Sequence, residues 1–359
     1  MTPEIAEIGH QRRKHATILL RTDISHGQGL TNQHVNLVSL ITLALAGDVD
    51  KVLLPKHKHR THFSLGTSWQ DAPTEELWDI HSIRDILKDR GVGIQAKPID
   101  GFEEMVLDCN WYHKSLDIAD VVHIMKQNIR WHLAEAESLT EYKMILTIPN
   151  FDFGLQSSNS QLFRDVMLAV RFSSKVQNIA SRILQEMRNR GSVFNGLHLR
   201  MEDDMADAVQ DEGGFQAAKQ QYEEAFNKLH YNGSSLLYVA TGIFTDSASG
   251  KTSALMNQAF NWLRNGIGTV FASEFLSKES ILTHAELQEL SSEQRAAVDV
   301  MVLKHSAAFV GLSLSTMSYL VQQLRIVSGH PQETNVLVGS PINEPLFGKT
   351  LTLLSQGKP

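Results

Sequence analysis

Leu197-His198-Leu199-Arg200 runs directly into Met201-Glu202-Asp203-Asp204, which gathers an imidazole, a guanidinium and three carboxylates in one short stretch. In an extended strand His198 and Arg200 point to the same side, one pleat repeat apart. An arginine at the carboxyl end of a strand offers a rigid fork of donors that matches phosphate oxygens. The same arginine could instead pair with a neighbouring carboxylate and tie down a loop, and spacing alone leaves both readings open.

Other residue groupings lead nowhere as firmly. His57, His59 and His62 are interleaved with Lys56, Lys58 and Arg60, whose charges would repel a metal cation. A solvated or substrate-facing loop is the expectation there. Asp48-Val49-Asp50 is the one Asp-x-Asp, but it falls in a helix-to-strand turn at the wrong end of a sheet for a metal loop. No metal site is expected. Gly27-Gln28-Gly29 begins a G-x-G-x-x-G fingerprint, yet Asn32 stands where the third glycine belongs. Ser249-Gly250-Lys251-Thr252 imitates a P-loop, with Thr245 in place of its first glycine.

The elements that must position these residues alternate. Ala16–Arg21 reads as a strand, Asn32–Ala46 as a helix stopped by Gly47, and Asp50–Pro55 as the next strand, which makes a βαβ unit and a parallel sheet. Leu162–Arg190 reads as one long helix ended by Gly191. Strands are then expected at Val193–Leu199, Ser235–Ala240, Gly268–Ala272 and Ala307–Gly311. Helices fall at Phe215–Leu229, Thr252–Leu263, Glu293–His305 and Ser315–Ile326, and Lys219–Glu224 reads as an exposed helix face. The fold expected is α/β, with two Rossmann-like doubly wound domains facing a cleft: residues 1–165, a linker helix at 166–190, and residues 191–359.

Composition limits the function. Over 359 residues, 42% hydrophobic and 20% charged residues describe a globular chain, and a formal charge of −7 argues against a nucleic-acid partner. Cys109 is the sole cysteine, which rules out an intrachain disulfide and a four-cysteine zinc site. No apolar run approaches the ~20 residues of a spanning helix. Met1–Lys14 lacks the apolar middle of a secretory signal. These features favour a soluble chain in a reducing, cytoplasmic compartment.

His198-Leu199-Arg200 followed by Glu202 and Asp204-Met205 resembles the His-Leu-Arg-x-Glu-x-Asp-Met signature of plant-type protein O-fucosyltransferase-like glycosyltransferases; the broader group carries His-Leu-Arg-x-Gly-x-Asp-Trp. Gly29-Leu30-Thr31-Asn32-Gln33, Leu168-Ala169-Val170-Arg171-Phe172, Arg295-Ala296-Ala297-Val298-Asp299 and Phe309-Val310-Gly311 through Ser315-Thr316 resemble further motifs of the family, in order along the chain. The resemblance implies a GT-B type glycosyltransferase, inverting and metal-independent, without a cofactor, that takes a nucleotide sugar, GDP-fucose in the first place and UDP-rhamnose as the alternative. It implies catalytic roles for Arg200 on the diphosphate and for Asn32 on the phosphate or sugar. His198, Asp299, Ser315, Thr316 and Gly29 would complete the donor site. Glu202 and Asp204 would lie near the sugar or behind Arg200. Asp23 and His26 are candidates for the general base by position. The N-terminal domain would form the acceptor side; the acceptor itself (protein, glycan or small molecule) is open, as is a non-catalytic, donor-binding role. Where relatives often carry Ala-Thr-Asp this chain has Ala240-Thr241-Gly242. The family's usual secretory location conflicts with the single cysteine, so localisation stays open.

Overall fold

The computed structural model describes residues 16–22, 29–47, 49–60, 69–95, 97, 101–107, 117–135, 142–148, 160–191, 193–202, 205–211, 213–244 and 253–339. Asp23, His26, Asp48, His62, Cys109, Asp203, Asp204, Thr245 and Ser249-Gly250-Lys251-Thr252 lie outside them. The chain divides into two compact units. Of the described residues, the first takes those up to Lys58 and those from Asp71 to Arg171; the second takes His59, Arg60, Trp69 and Gln70 and those from Phe172 to Gly339.

The first unit is built on strands β1 (Ala16–Thr22), β2 (Lys51–Leu53), β5 (Gly93–Gln95), β6 (Glu103–Val106) and β7 (Tyr142–Ile148); β3 (His57–Arg60) and β4 (Trp69–Ala72) form a separate two-stranded sheet, of which His57-Lys58 and Asp71-Ala72 count to the first unit and His59-Arg60 and Trp69-Gln70 to the second. The sheet order is β5-β2-β1-β7-β6 and every pairing is parallel. Such strands are covered on both faces, which is why Ile18-Leu19-Leu20 and Met144-Ile145-Leu146 read as unbroken apolar runs and are buried. Helix Leu30–Ala46 starts two residues before the sequence suggests and ends at Gly47, whose N–H reaches the Leu43 carbonyl.

The second unit repeats the plan with β8 (Phe194–His198), β9 (Leu236–Ala240), β10 (Glu274–Leu276), β11 (Phe309–Leu312) and β12 (Asn335–Val338), in the order β10-β9-β8-β11-β12, again parallel throughout. One face packs an aromatic cluster, with Tyr222, Phe226, Tyr231, Trp262 and Phe271 against Leu197, Leu199 and Met201.

Four sequence expectations are corrected. The helix expected over 162–190 is two helices, Ser160–Ala169 and Ser174–Arg190. The carbonyls of Ala169 and Arg171 turn outward to accept from Ser82 Oγ (2.7 Å) and the Asp79 N–H (2.9 Å), and the chain restarts at Ser173, a residue type suited to begin a helix. The strand expected at 268–272 is helical. Helix Ala254–Trp262 continues through a wide π-type turn, Leu263–Ile267, and a short turn Gly268–Val270, so the strand falls at β10 instead. The segment around His57, expected as a solvated or substrate-facing loop, is strand β3 over His57–Arg60. His57 is buried, its Nδ1 lies 2.8 Å from the Pro73 carbonyl, and its ring stands edge-on to Trp78. In the expected exposed face Lys219–Glu224, Tyr222 is fully buried in the aromatic cluster.

No described helix is long and apolar enough to cross a membrane.

Candidate functional site

In the second unit β8 is the pivot of the sheet. The chain goes from β8 to β9 and β10 on one side, then returns to β11 and β12 on the other, so the topology reverses between β8 and β11. In open α/β sheets ligands bind outside the carboxyl ends of the strands at such a switch point. Arg200 follows β8 there, and Ser315-Thr316 follow β11.

Side-chain alternation persists past the end of β8, because the Leu199 N–H still bonds the Ala240 carbonyl at 3.0 Å. Leu197, Leu199 and Met201 enter the aromatic cluster; His198, Arg200 and Glu202 take the other side and contact one another or the ends of neighbouring elements. His198 Nδ1 lies 2.8 Å from Ser318 Oγ on helix Thr316–Val327. Burial pushes its pKa down to about 4; Glu202 opposes that, while Arg200 and Lys278 add to it. The imidazole is therefore neutral at pH 7.

Arg200 is one-quarter exposed, and its Nη1 donates to Glu202 Oε2 at 2.5 Å. Glu202 is buried, with Oε1 accepting from Thr241 Oγ1 at 3.2 Å and from the Gly242 N–H. Burial pushes this carboxyl up, but Arg200 beside it and the Gly242 amide outweigh that and hold it below the usual range. Glu202 thus lies against Arg200, whose guanidinium it accepts from.

Asp299, expected against the base or ribose, is buried on helix Ser292–Lys304. Its Oδ2 accepts from Lys278 Nζ at 2.6 Å and its Oδ1 from the Tyr238 hydroxyl at 2.7 Å. Burial raises the Asp299 carboxyl to about 6 against the pull of Lys278. Burial would lower the Lys278 ammonium, but Asp299 and Glu279 outweigh it and raise it. No motif marks Lys278; only the pairing of β10 beside β9, which puts Leu276 level with Tyr238, brings it to this end of the sheet.

Ser315 precedes helix Thr316–Val327 without making the usual side-chain cap, and its carbonyl accepts from the Ser318 N–H at 3.0 Å. First-turn amides and the helix dipole make such an N-terminus suited to an anion.

The first unit carries the other candidates. Gly29 precedes helix Leu30–Ala46 with φ −66°, and a Cβ placed on it would meet nothing within 4 Å among the described residues. Neither the backbone angle nor packing among the described residues requires a glycine there. Asn32 sits in the first turn, and its buried Oδ1 has no hydrogen-bond partner among the described residues. The adjacent Gln33 is structural: its amide donates to the Lys58 carbonyl (2.7 Å) and accepts from the Lys58 N–H (2.9 Å), pairing with β3 as a strand would.

A family model described as GDP-fucose protein O-fucosyltransferase matches residues 54–328, well over half of the chain. No curated protein sequence matches it. Among solved structures, POFUT1 in complex with GDP is similar over 90% of this chain and 98% of its own, with a TM-score of 0.55 at 13% identity. POFUT1 in complex with GDP-fucose covers 89% and 97%, with a TM-score of 0.54 at 13% identity. At this identity the likeness concerns the fold, and it agrees with the GT-B type expected.

Proposed function

The chain belongs to the GDP-fucose protein O-fucosyltransferase family, and from that premise we propose that it transfers fucose from GDP-fucose to an acceptor hydroxyl, with inversion and without a metal. The observation that carries the reading is Arg200 at the carboxyl end of β8, beside the switch point, with a helix N-terminus at Thr316 on the adjoining strand end.

As the bond between fucose C1 and the β-phosphate oxygen breaks, negative charge grows on the departing GDP. Arg200 meets that charge, and the Ser315 hydroxyl and first-turn amides add donors. The acceptor oxygen attacks C1 from the face opposite GDP, which inverts the anomeric centre. Its proton leaves to a base, for which Asp23 and His26 are the candidates. Neutral His198, braced by Ser318, shapes the nucleotide side. Asp299 acts there through Lys278 and Tyr238, which already engage both its oxygens. In the first unit, which we assign to the acceptor side, the Asn32 amide serves the donor, its N–H donating to phosphate or its oxygen, without a hydrogen-bond partner among the described residues, accepting from a sugar hydroxyl, and the absent side chain at Gly29 lets the ligand approach. Asp204 is assigned to the sugar.

A thermal-shift series with GDP, GDP-fucose and UDP-sugars tests this. A ligand at 100 times its dissociation constant stabilises by about 2.7 kcal/mol. GDP and GDP-fucose are expected to raise Tm in the wild type and R200A to lose fucose transfer by about 100- to 1000-fold, as when one preorganised donor is removed. A response to UDP-sugars alone would overturn the donor, and full activity in R200A would overturn the mechanism.

A further inference from the structure

Glu202 makes an unusual partner for an arginine meant to meet phosphate. A carboxylate held against the guanidinium weakens its field toward any other anion. Its presence is explained if orientation matters more than raw charge. A flexible side chain frozen before the donor arrives loses no further freedom when it binds.

The geometry is that of a clamp between two strand ends. Glu202 Oε2 takes Arg200 Nη1, and Oε1 takes Thr241 Oγ1 and the Gly242 N–H from the segment after β9. The carboxylate thus spans from the β9 end to the guanidinium. Gly242 is what makes room for it. The backbone there is not among the left-handed glycines, so conformation does not demand the residue. A Cβ at 242, however, would lie 2.9 Å from Glu202 Oε1, 3.1 Å from its Cγ and 3.3 Å from its Cδ. A side chain at 242 would have to push the Glu202 carboxylate out of its present place.

We propose that Glu202 is the positioning residue for Arg200, fixing its guanidinium toward the donor diphosphate, and that Gly242 is the space this carboxylate requires. The catalytic part of this rests on the role given to Arg200 above.

The test uses the full chain with E202Q, E202G, G242D and the double variant E202G/G242D, whose introduced carboxylate starts beside the one removed. E202Q keeps size and most of the hydrogen bonding, so it is expected to fold. Rotation of the Arg200 guanidinium is read by nitrogen-15 NMR, with R200K to assign the signal; GDP affinity is read by titration, and kcat and KM from GDP-fucose turnover. The wild-type guanidinium is expected to rotate slowly and that of E202Q fast. Turnover in E202Q should fall by about 10- to 100-fold, the loss typical of outer supporting partners, mainly in kcat because the clamp serves the charge of the transition state. G242D should fall similarly, and the double variant should recover most of the loss of E202G. Unchanged guanidinium rotation and kcat in E202Q overturn the inference, as does a double variant no better than E202G. If the wild type neither binds GDP nor turns over GDP-fucose, the donor reading fails, while the guanidinium signal of E202Q still decides whether Glu202 holds Arg200.

Discussion

Arg200 and Glu202 were both legible as chemistry in the sequence, and a pair between arginine and carboxylate was one of the readings left open; the hold on that carboxylate was not legible. It depends on Thr241 and Gly242, some forty positions away and brought close only by the pairing of His198 with Ala240. Asp299 shows the converse, since its likeness to a ligand contact gave no hint of the buried Lys278 and Tyr238 that hold it. His198 carries a prediction at this scale. Its folded pKa, about 4, lies below the unfolded value of 6.5 because burial favours the neutral ring. Its stabilising contribution is therefore complete above pH 6.5 and is lost as pH falls toward 4, on the order of 3 kcal/mol. In H198N the denaturation midpoint should fall less steeply across that window; an unchanged slope would mean that His198 is not the titrating group. His34, also lowered to about 4 by burial, leaves a residual slope in the variant.

At the level of elements, parallel strands and most helices could be read because apolar runs and turn residues mark them. What could not be read was decided by partners distant in sequence. At the break at 170–173 the freed carbonyls find donors on helix Ile80–Lys88 and its cap residue Asp79, and β3 is a strand because it pairs with β4, with the Gln33 amide bonding its other edge at Lys58. Gly266 lets helix Ala254–Trp262 widen past the expected stop, since a Cβ there would lie 2.6 Å from the Trp262 ring. The seat of β8 is equally tight. A Cβ on Gly196 would lie 2.7 Å from Ser306 Oγ and 2.9 Å from Leu303 Cδ2, and Ser306 is itself fixed by Arg325 Nη1 at 2.8 Å. G196A should destabilise by about 1–3 kcal/mol through overpacking, read from the urea midpoint. No change would show slack between β8 and helix Ser292–Lys304.

For the molecule as a whole, the assignment of His59, Arg60, Trp69 and Gln70 to the second unit was invisible in the sequence, where they sit deep in the first half. Arg60 anchors them. Its Nε donates to Glu293 Oε1 at 3.2 Å, its N–H reaches Oε2 at 3.1 Å, and its guanidinium lies over the Trp69 ring. Glu293 is fully buried and also accepts from Ser292 Oγ. R60A strips a buried carboxylate of its cation and should lower stability by about 1–3 kcal/mol. E293Q should cost less when combined with R60A than alone, a coupling that a double-mutant cycle measures; additive losses would show that the pair does not act together.

That anchor also dictates an order of assembly. Residues 60 and 293 are separated by 233 positions, so during synthesis the segment leaves the ribosome long before its counterpart exists. The second unit cannot be completed from its own contiguous stretch of chain. The Arg60–Glu293 contact can form only once Glu293 has been made, so an early-made piece of this half is tied down by a late-made one.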